Sequence, residues 1–169
     1  MKIFRLVDLF HRFNRFIGKR WRKPSGVLLL SCGGLGDIVL FSHVLSKFIP
    51  LAQEDETVTV LMRKDGAMTS FLFPNTVSTL AIDFKQLRHV GYRKKIFNQL
   101  YKSNYRLVIH TDFLRHPDLD EALVAATGAP EKVAMEPRSW PKYDKALTRN
   151  RALYSRLFDS GPSLKDKVL

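Results

Sequence analysis

The chain has 169 residues, 28 Lys/Arg against 16 Asp/Glu for a formal charge of +12, and one cysteine. That length suits one domain with an ordinary core, and a lone cysteine excludes an intramolecular disulfide and suits a reducing compartment. No apolar run approaches the roughly 20 residues of a membrane-spanning helix, and charges interrupt the first residues too often for a secretory signal.

The charge is concentrated at the start. Residues 1–23 hold eight Lys/Arg against Asp8 alone, so this segment carries +7 of the total. Ile3, Leu6, Phe10, Phe13, Ile17 and Trp21 recur at spacings of three and four, with Leu9 and Phe16 widening the stripe. Lys2, Arg5, Arg12, Arg15, Lys19 and Arg22 fall mainly on the other side. This pattern predicts a basic amphipathic leader helix over residues 1–24, stopped by Pro24-Ser25-Gly26. Such a helix can lie in a membrane interface, with Phe10, Phe13 and Trp21 in the lipid and Arg12, Arg15 and Lys19 on anionic headgroups. Two other readings are a helix packed on its own domain with its charges solvated, and a mitochondrial presequence, which the scarcity of serine disfavours.

Residues 27–37 read VLLLSCGGLGD. Four consecutive aliphatics predict a strand buried on both faces, as in parallel sheets. Gly33, Gly34 and Gly36 allow a sharp turn with close backbone approach to a ligand. Asp37 then falls in the first turn of a helix running through Ile38, Val39, Phe41, Val44, Leu45 and Phe48, where backbone N–H groups and the helix dipole favour a charged carboxylate. At the carboxyl end of a strand, where open α/β sheets bind ligands, this is a good seat for a base. A dinucleotide fingerprint fits poorly because Val39 stands where a small residue is needed, and a phosphate loop lacks its Gly-Lys-Ser/Thr ending. A turn whose aspartate merely caps the helix remains open.

Further along, strands are expected at residues 57–62, 79–83, 106–110 and 132–135. Helices are expected at 65–73, 92–102, 117–127 and 143–158. Alternating strands and helices argue for a Rossmann-like parallel sheet spanning residues 25–160, with a polar tail at 161–169. Arg88, Arg93, Lys94 and Lys95 read as a solvated loop and helix start. Cys32, with no cationic sequence neighbour, reads as packing. His110, Asp112 and His116 are metal-capable types without a recognised ligand spacing, so His110 and Asp112 read instead as a strand end lining a pocket. A basic stripe interleaved with aromatics occurs only in the leader, and no nucleic-acid signature accompanies it.

The segment 27–50 resembles the N-terminal signature of glycosyltransferase family 9, the bacterial lipopolysaccharide heptosyltransferases. The aliphatic strand at Leu28 to Leu30, the turn Gly34-Leu35-Gly36-Asp37 and the helix end Phe48-Ile49-Pro50 match it. The stretch YRLVIHTD at 105–112 and AATGAPEKV at 125–133 sit where that family has its later motifs. The resemblance implies a GT-B enzyme, with two Rossmann-like domains facing a cleft, the first binding the acceptor and the second a nucleotide sugar. It also implies inversion without a metal ion and places the catalytic base at Asp37, with Gly34 and Gly36 shaping its turn. ADP-heptose is the implied donor, a lipid-linked saccharide the acceptor, and the cytoplasmic face of the bacterial inner membrane the location. Arg63 and Lys64 after the second strand and Arg115 after the fourth would then face an acceptor rich in carboxylate and phosphate, together with His110 and Asp112. The chain reads as the acceptor half alone, without a donor domain. A non-catalytic, membrane-associated acceptor-binding module is the alternative.

Overall fold

The computed structural model describes residues 8–11, 20 and 22–159. Six strands form one sheet, β1 Val27–Ser31, β2 Val58–Arg63, β3 Val77–Ile82, β4 Leu107–His110, β5 Glu131–Met135 and β6 Arg156–Phe158. All pair in parallel, in the order β3-β2-β1-β4-β5-β6. The α-helices are α1 Leu35–Val44, α2 Val90–Ser103, α3 Asp120–Thr127 and α4 Asp144–Asn150. The fold is therefore α/β and Rossmann-like, as the alternation of elements predicts.

β1 is central and wholly buried because its aliphatics serve two cores. Successive side chains of a strand point to opposite faces. Leu28 and Leu30 accordingly pack with Ile96, Phe97 and Leu100 of α2 and Leu123 and Val124 of α3. Val27 and Leu29 pack with Ile38 and Phe41 of α1 and with Val60 and Met62 of β2. α2 ends at Asn104 in the left-handed region (φ 54°, ψ 45°), and α3 ends at Gly128 (φ 57°, ψ 25°), the usual way to stop a helix and turn into a strand.

Three expectations need correction. Residues 143–158 are not one helix: α4 stops at Asn150, a 3₁₀ turn Arg151–Leu153 follows, and β6 joins the edge of the sheet. Ser155 fixes this course. Its N–H donates to Lys132 O at 2.8 Å and its Oγ accepts the Lys132 N–H at 3.0 Å. The helix expected at 65–73 is a 3₁₀ segment, Lys64–Leu72.

Arg93, expected in solvent, is fully buried. Its guanidinium holds both carboxylate oxygens of Asp8 at 2.6 and 2.7 Å and donates to Leu87 O at 3.2 Å and Asp118 O at 2.9 Å. A buried cation survives only when paired and hydrogen-bonded, and Asp8 lies 85 positions away. Through this pair the one helical turn of the leader that is described, residues 8–11, docks on the domain. His11 lies edge-on to Phe97 at 5.3 Å and to Tyr101 at 5.8 Å, while Leu9 and Phe10 are exposed. Of the expected membrane contacts, Arg12, Phe13, Arg15, Lys19 and Trp21 lie outside the described residues, as does the tail from residue 160.

Breaking a buried ion pair by removing one partner typically costs about 3–5 kcal/mol. Arg93→Ala is expected to lose stability on that scale in urea denaturation, whereas Lys94→Ala and Lys95→Ala, on exposed positions of the same helix, should leave the midpoint almost unchanged.

Candidate functional site

The sheet grows in one direction from β1 through β2 to β3 and in the other through β4, β5 and β6. Between β1 and β4 the two connecting chains part in opposite directions, leaving a crevice at the carboxyl ends of the strands. Ligands of open α/β sheets bind there. One wall of this crevice is the turn from β1 into α1, and the other is the segment after β4.

On the first wall, Gly34 is the N-cap of α1 and Asp37 is the third helical residue. The Gly34 N–H donates to Asp37 Oδ2 at 3.0 Å, the reciprocal half of a capping box, which aims the half-buried carboxylate back toward the end of β1. The glycine that this arrangement requires is Gly33. A Cβ there would lie 2.5 Å from both Cβ and Oδ2 of Asp37. At Gly34 the nearest contact would be 3.9 Å and at Gly36 there is none within 4 Å, so those two leave open approach rather than relieve a clash. The residues read as a group assign the turn to Gly33, Gly34 and Gly36, and the resemblance singles out Gly34 and Gly36; the structure puts the steric demand on Gly33.

On the second wall, Thr111 donates through both N–H (3.0 Å) and Oγ1 (2.8 Å) to Leu30 O. Asp112 Oδ2 accepts the Cys32 N–H at 2.6 Å. These bonds tie the two walls together at the crevice floor. Arg63 and Lys64 stand at the same carboxyl edge, at the end of β2, as expected. Arg63 forks onto Asp65 at 3.1 and 2.7 Å in a pair open to water. Such pairs contribute little, so an incoming phosphate or carboxylate can displace Asp65 at small cost.

His110 ends β4 and lines a groove over β4 and β5, as expected of a strand-end residue, whereas Arg115 is placed differently from expectation. His110 is buried, its Nδ1 accepts the Asp112 N–H at 3.3 Å, and its Nε2 has no hydrogen-bond partner among the described residues. Burial and then the Arg115 charge hold its pKa well below the usual imidazole value, so it is neutral. Arg115 is buried too: it pairs with Glu121 at 3.2 Å, donates to Met135 O at 2.7 Å and lies 5.1 Å above the Tyr154 ring. Its charge is spent tying the β4 segment to α3 and β5, so it does not serve as a free cation for an acidic acceptor. His116 packs against Tyr143, ring centroids 4.5 Å apart.

Two acidic residues escaped the sequence reading. Asp120 at the start of α3 is buried, accepts the His116 N–H at 2.8 Å, and has its pKa pushed by burial to about 7. Glu121 is buried opposite Arg115 and accepts from Asn150 at 2.7 Å. Nothing in a run such as PDLDEALV distinguishes these from surface acids at a helix start. Beside the crevice, a groove of about 440 Å³ lies over β4 and β5, walled by Phe48, Ile109, Phe113, Val133, Met135 and Phe158.

No protein-family model matches the sequence, and no curated protein matches it significantly. Among solved structures the chain is similar to the ADP-heptose lipopolysaccharide heptosyltransferase II of E. coli, with a TM-score of 0.51 and 14% sequence identity. The likeness covers 78% of this chain and 34% of that one, so the chain spans about a third of the enzyme's length. At that identity the likeness establishes the fold: this is a Rossmann-like domain of the kind found in a glycosyltransferase.

Gly33→Ala is expected to push the Asp37 carboxylate off its seat. Since α1 packs on β1 through that turn, the variant should show displaced backbone NMR resonances for residues 33–38. Gly36→Ala, with open space at its Cβ, should leave them in place.

Proposed function

We propose that the chain is the acceptor-side domain of a glycosyltransferase of the heptosyltransferase type. It would serve transfer of a sugar from a nucleotide-sugar donor, ADP-heptose, to an anionic, lipid-linked saccharide, with inversion and without a metal. The observation that carries this reading is the Asp37 carboxylate, half-buried and tethered by Gly34 at the carboxyl edge of the central strand, where the strand order reverses. In the reaction an acceptor hydroxyl oxygen attacks the anomeric carbon, the bond from that carbon to the diphosphate breaks, and Asp37 takes the hydroxyl proton. A positioned base contributes typically about 10²–10⁴-fold. The remaining catalysis would come from orientation and from stabilisation of the departing diphosphate, the task of a donor-side domain.

Gly34 and Gly36 would let the acceptor approach the turn closely, and Arg63 and Lys64 would bind its acidic groups, with Asp112 holding the opposite wall. Arg115 and His110 support the site from beneath. Under this reading the leader keeps the domain on the cytoplasmic face of a bacterial inner membrane as a peripheral protein. No described helix is long and apolar enough to cross a membrane. The docked leader turn supports a membrane-facing role, because Asp8 and His11 face the domain and leave Leu9 and Phe10 outward.

An inner-core lipopolysaccharide acceptor should bind the chain by calorimetry and bind more weakly to Arg63→Ala and Lys64→Ala. With ADP-heptose and a donor-binding half supplied, Asp37→Ala should lower turnover by roughly 10²–10⁴-fold while leaving acceptor affinity within a few-fold. Normal turnover by that variant removes the base. Acceptor binding without transfer under any supplementation points to a binding module instead.

The leader makes a separate prediction. Each Lys/Arg near an anionic surface adds about 1 kcal/mol, so replacing Arg12, Arg15 and Lys19 by Gln should weaken sedimentation with phosphatidylglycerol vesicles roughly a hundredfold at low salt. High salt should release the wild-type chain.

A further inference from the structure

We propose that Cys32, His110 and Asp112 bind a borderline-soft divalent cation of the zinc type at the floor of the crevice. The transfer chemistry described above does not call on such an ion, and the inference stands apart from it.

The sheet register itself assembles the cluster. Leu30 of β1 pairs with His110 of β4, and Leu28 with Val108. Two residues on, Cys32 and Asp112 continue these rows, joined by the 2.6 Å bond from the Cys32 N–H to Asp112 Oδ2. With a strand's period of two, Leu28, Leu30 and Cys32 share a face and pack in one core with Val108, and His110 follows Val108 two residues on along β4. Thiol, imidazole and carboxylate therefore converge from two adjacent strands, and their ligand atoms lie within 4.8 Å of one another. His110 Nδ1 and Asp112 Oδ2 are 3.9 Å apart. Zinc bonds of about 2.0–2.3 Å separate tetrahedral ligand atoms by roughly 3.3–3.8 Å, so a contraction of about an ångström closes the set.

The imidazole gives an independent reason. It is fully buried, Nδ1 accepts the Asp112 N–H at a long 3.3 Å, and Nε2 has no hydrogen-bond partner among the described residues. Buried polar groups are almost always satisfied, and a metal bond at Nδ1, the nitrogen 3.9 Å from Asp112 Oδ2, would replace its long contact with a strong one. The surroundings also favour a cation. Burial, then the charges of Asp120 and Asp112, push the Cys32 thiol up against an opposing charge from Arg63, while Arg115 is committed to Glu121. The mixed sulfur, nitrogen and oxygen donor set selects zinc over magnesium or calcium, which prefer oxygen alone. On binding, the thiol proton leaves to solvent and the thiolate, neutral imidazole and carboxylate donate to the ion. The Asp112 side chain is 17% exposed, which leaves the cluster open on the crevice side for a fourth ligand. The ion would pin the ends of β1 and β4 beside the turn that carries Asp37.

Because Cys32 is the chain's only cysteine, any thiolate-to-metal signal reports this site. Chelator-treated protein titrated with Co²⁺ alone should develop a thiolate-to-cobalt charge-transfer band that saturates at one ion per chain and is erased by Zn²⁺ but not by Mg²⁺. Cys32→Ser should abolish the band. Asp112→Asn, which keeps the acceptor for the Cys32 N–H, should weaken binding without unfolding the protein, and Zn²⁺ should raise the wild-type unfolding temperature more than that of either variant. The proposal is overturned if stoichiometric Co²⁺ gives no band, if saturation falls at half an ion per chain, or if Zn²⁺ stabilises Asp112→Asn as much as wild type.

Discussion

The bond from the Cys32 N–H to Asp112 Oδ2 sits at the one place in this sheet where the chain has no covalent neighbour to hold it. β1 and β4 are adjacent in space but separated in the chain by two strands, β2 and β3, and beyond their carboxyl ends the backbone departs in opposite directions. Thr111 adds two hydrogen bonds to Leu30 O, so the walls of the crevice are fixed relative to each other before any ligand arrives. A catalytic or binding group must be held within a fraction of an ångström to be useful, and rigid strand ends achieve this better than free loops. The seat of Asp37 inherits that rigidity through Gly33, whose missing side chain lets the carboxylate fold back over the turn.

Charge is distributed by a similar economy. A net charge of +12 suggests abundant free cations, yet two arginines near the crevice are internal struts. Arg93 fastens the leader turn to α2 and to the segment before α3, and Arg115 fastens the β4 segment to α3 and β5. Both use a planar fork to satisfy several acceptors at once, which a lysine could not do. Arg63 and Lys64, at the carboxyl end of β2, stay in wet surroundings. A net positive field attracts acidic groups at long range, and Arg63 and Lys64 offer local cations at this edge.

How much of this was legible in the sequence follows from the range of the forces involved. β1 and the turn into α1 are written locally, as four aliphatics, a glycine cluster and an acid, and all lie where expected. The alternation of strands and helices likewise fixed a parallel sheet. β6 was misread because Leu147, Leu153, Tyr154 and Leu157 keep a helical spacing, while the bonds that recruit the strand come from Lys132, more than twenty positions away. The burial of Arg93 and Arg115 was invisible for the same reason: an arginine's partners in space leave no mark beside it in the chain. Cys32, read as packing, proves to adjoin His110 and Asp112 only once the strand register is known. The glycines were seen as a group, but which one the fold needs depends on where the Asp37 side chain turns.

The central claim is that the acceptor meets this domain at the carboxyl edge between β1 and β4. Mapping backbone amide shifts of the isotope-labelled chain during titration with a soluble inner-core lipopolysaccharide saccharide tests it most directly. Perturbations are expected to cluster at residues 33–37, at Arg63 and Lys64, and at residues 111–113. A cluster at the opposite edge of the sheet, around Glu56, Asn104 and Arg106, or an undisturbed Gly33-Gly34 turn at saturation, would contradict the account.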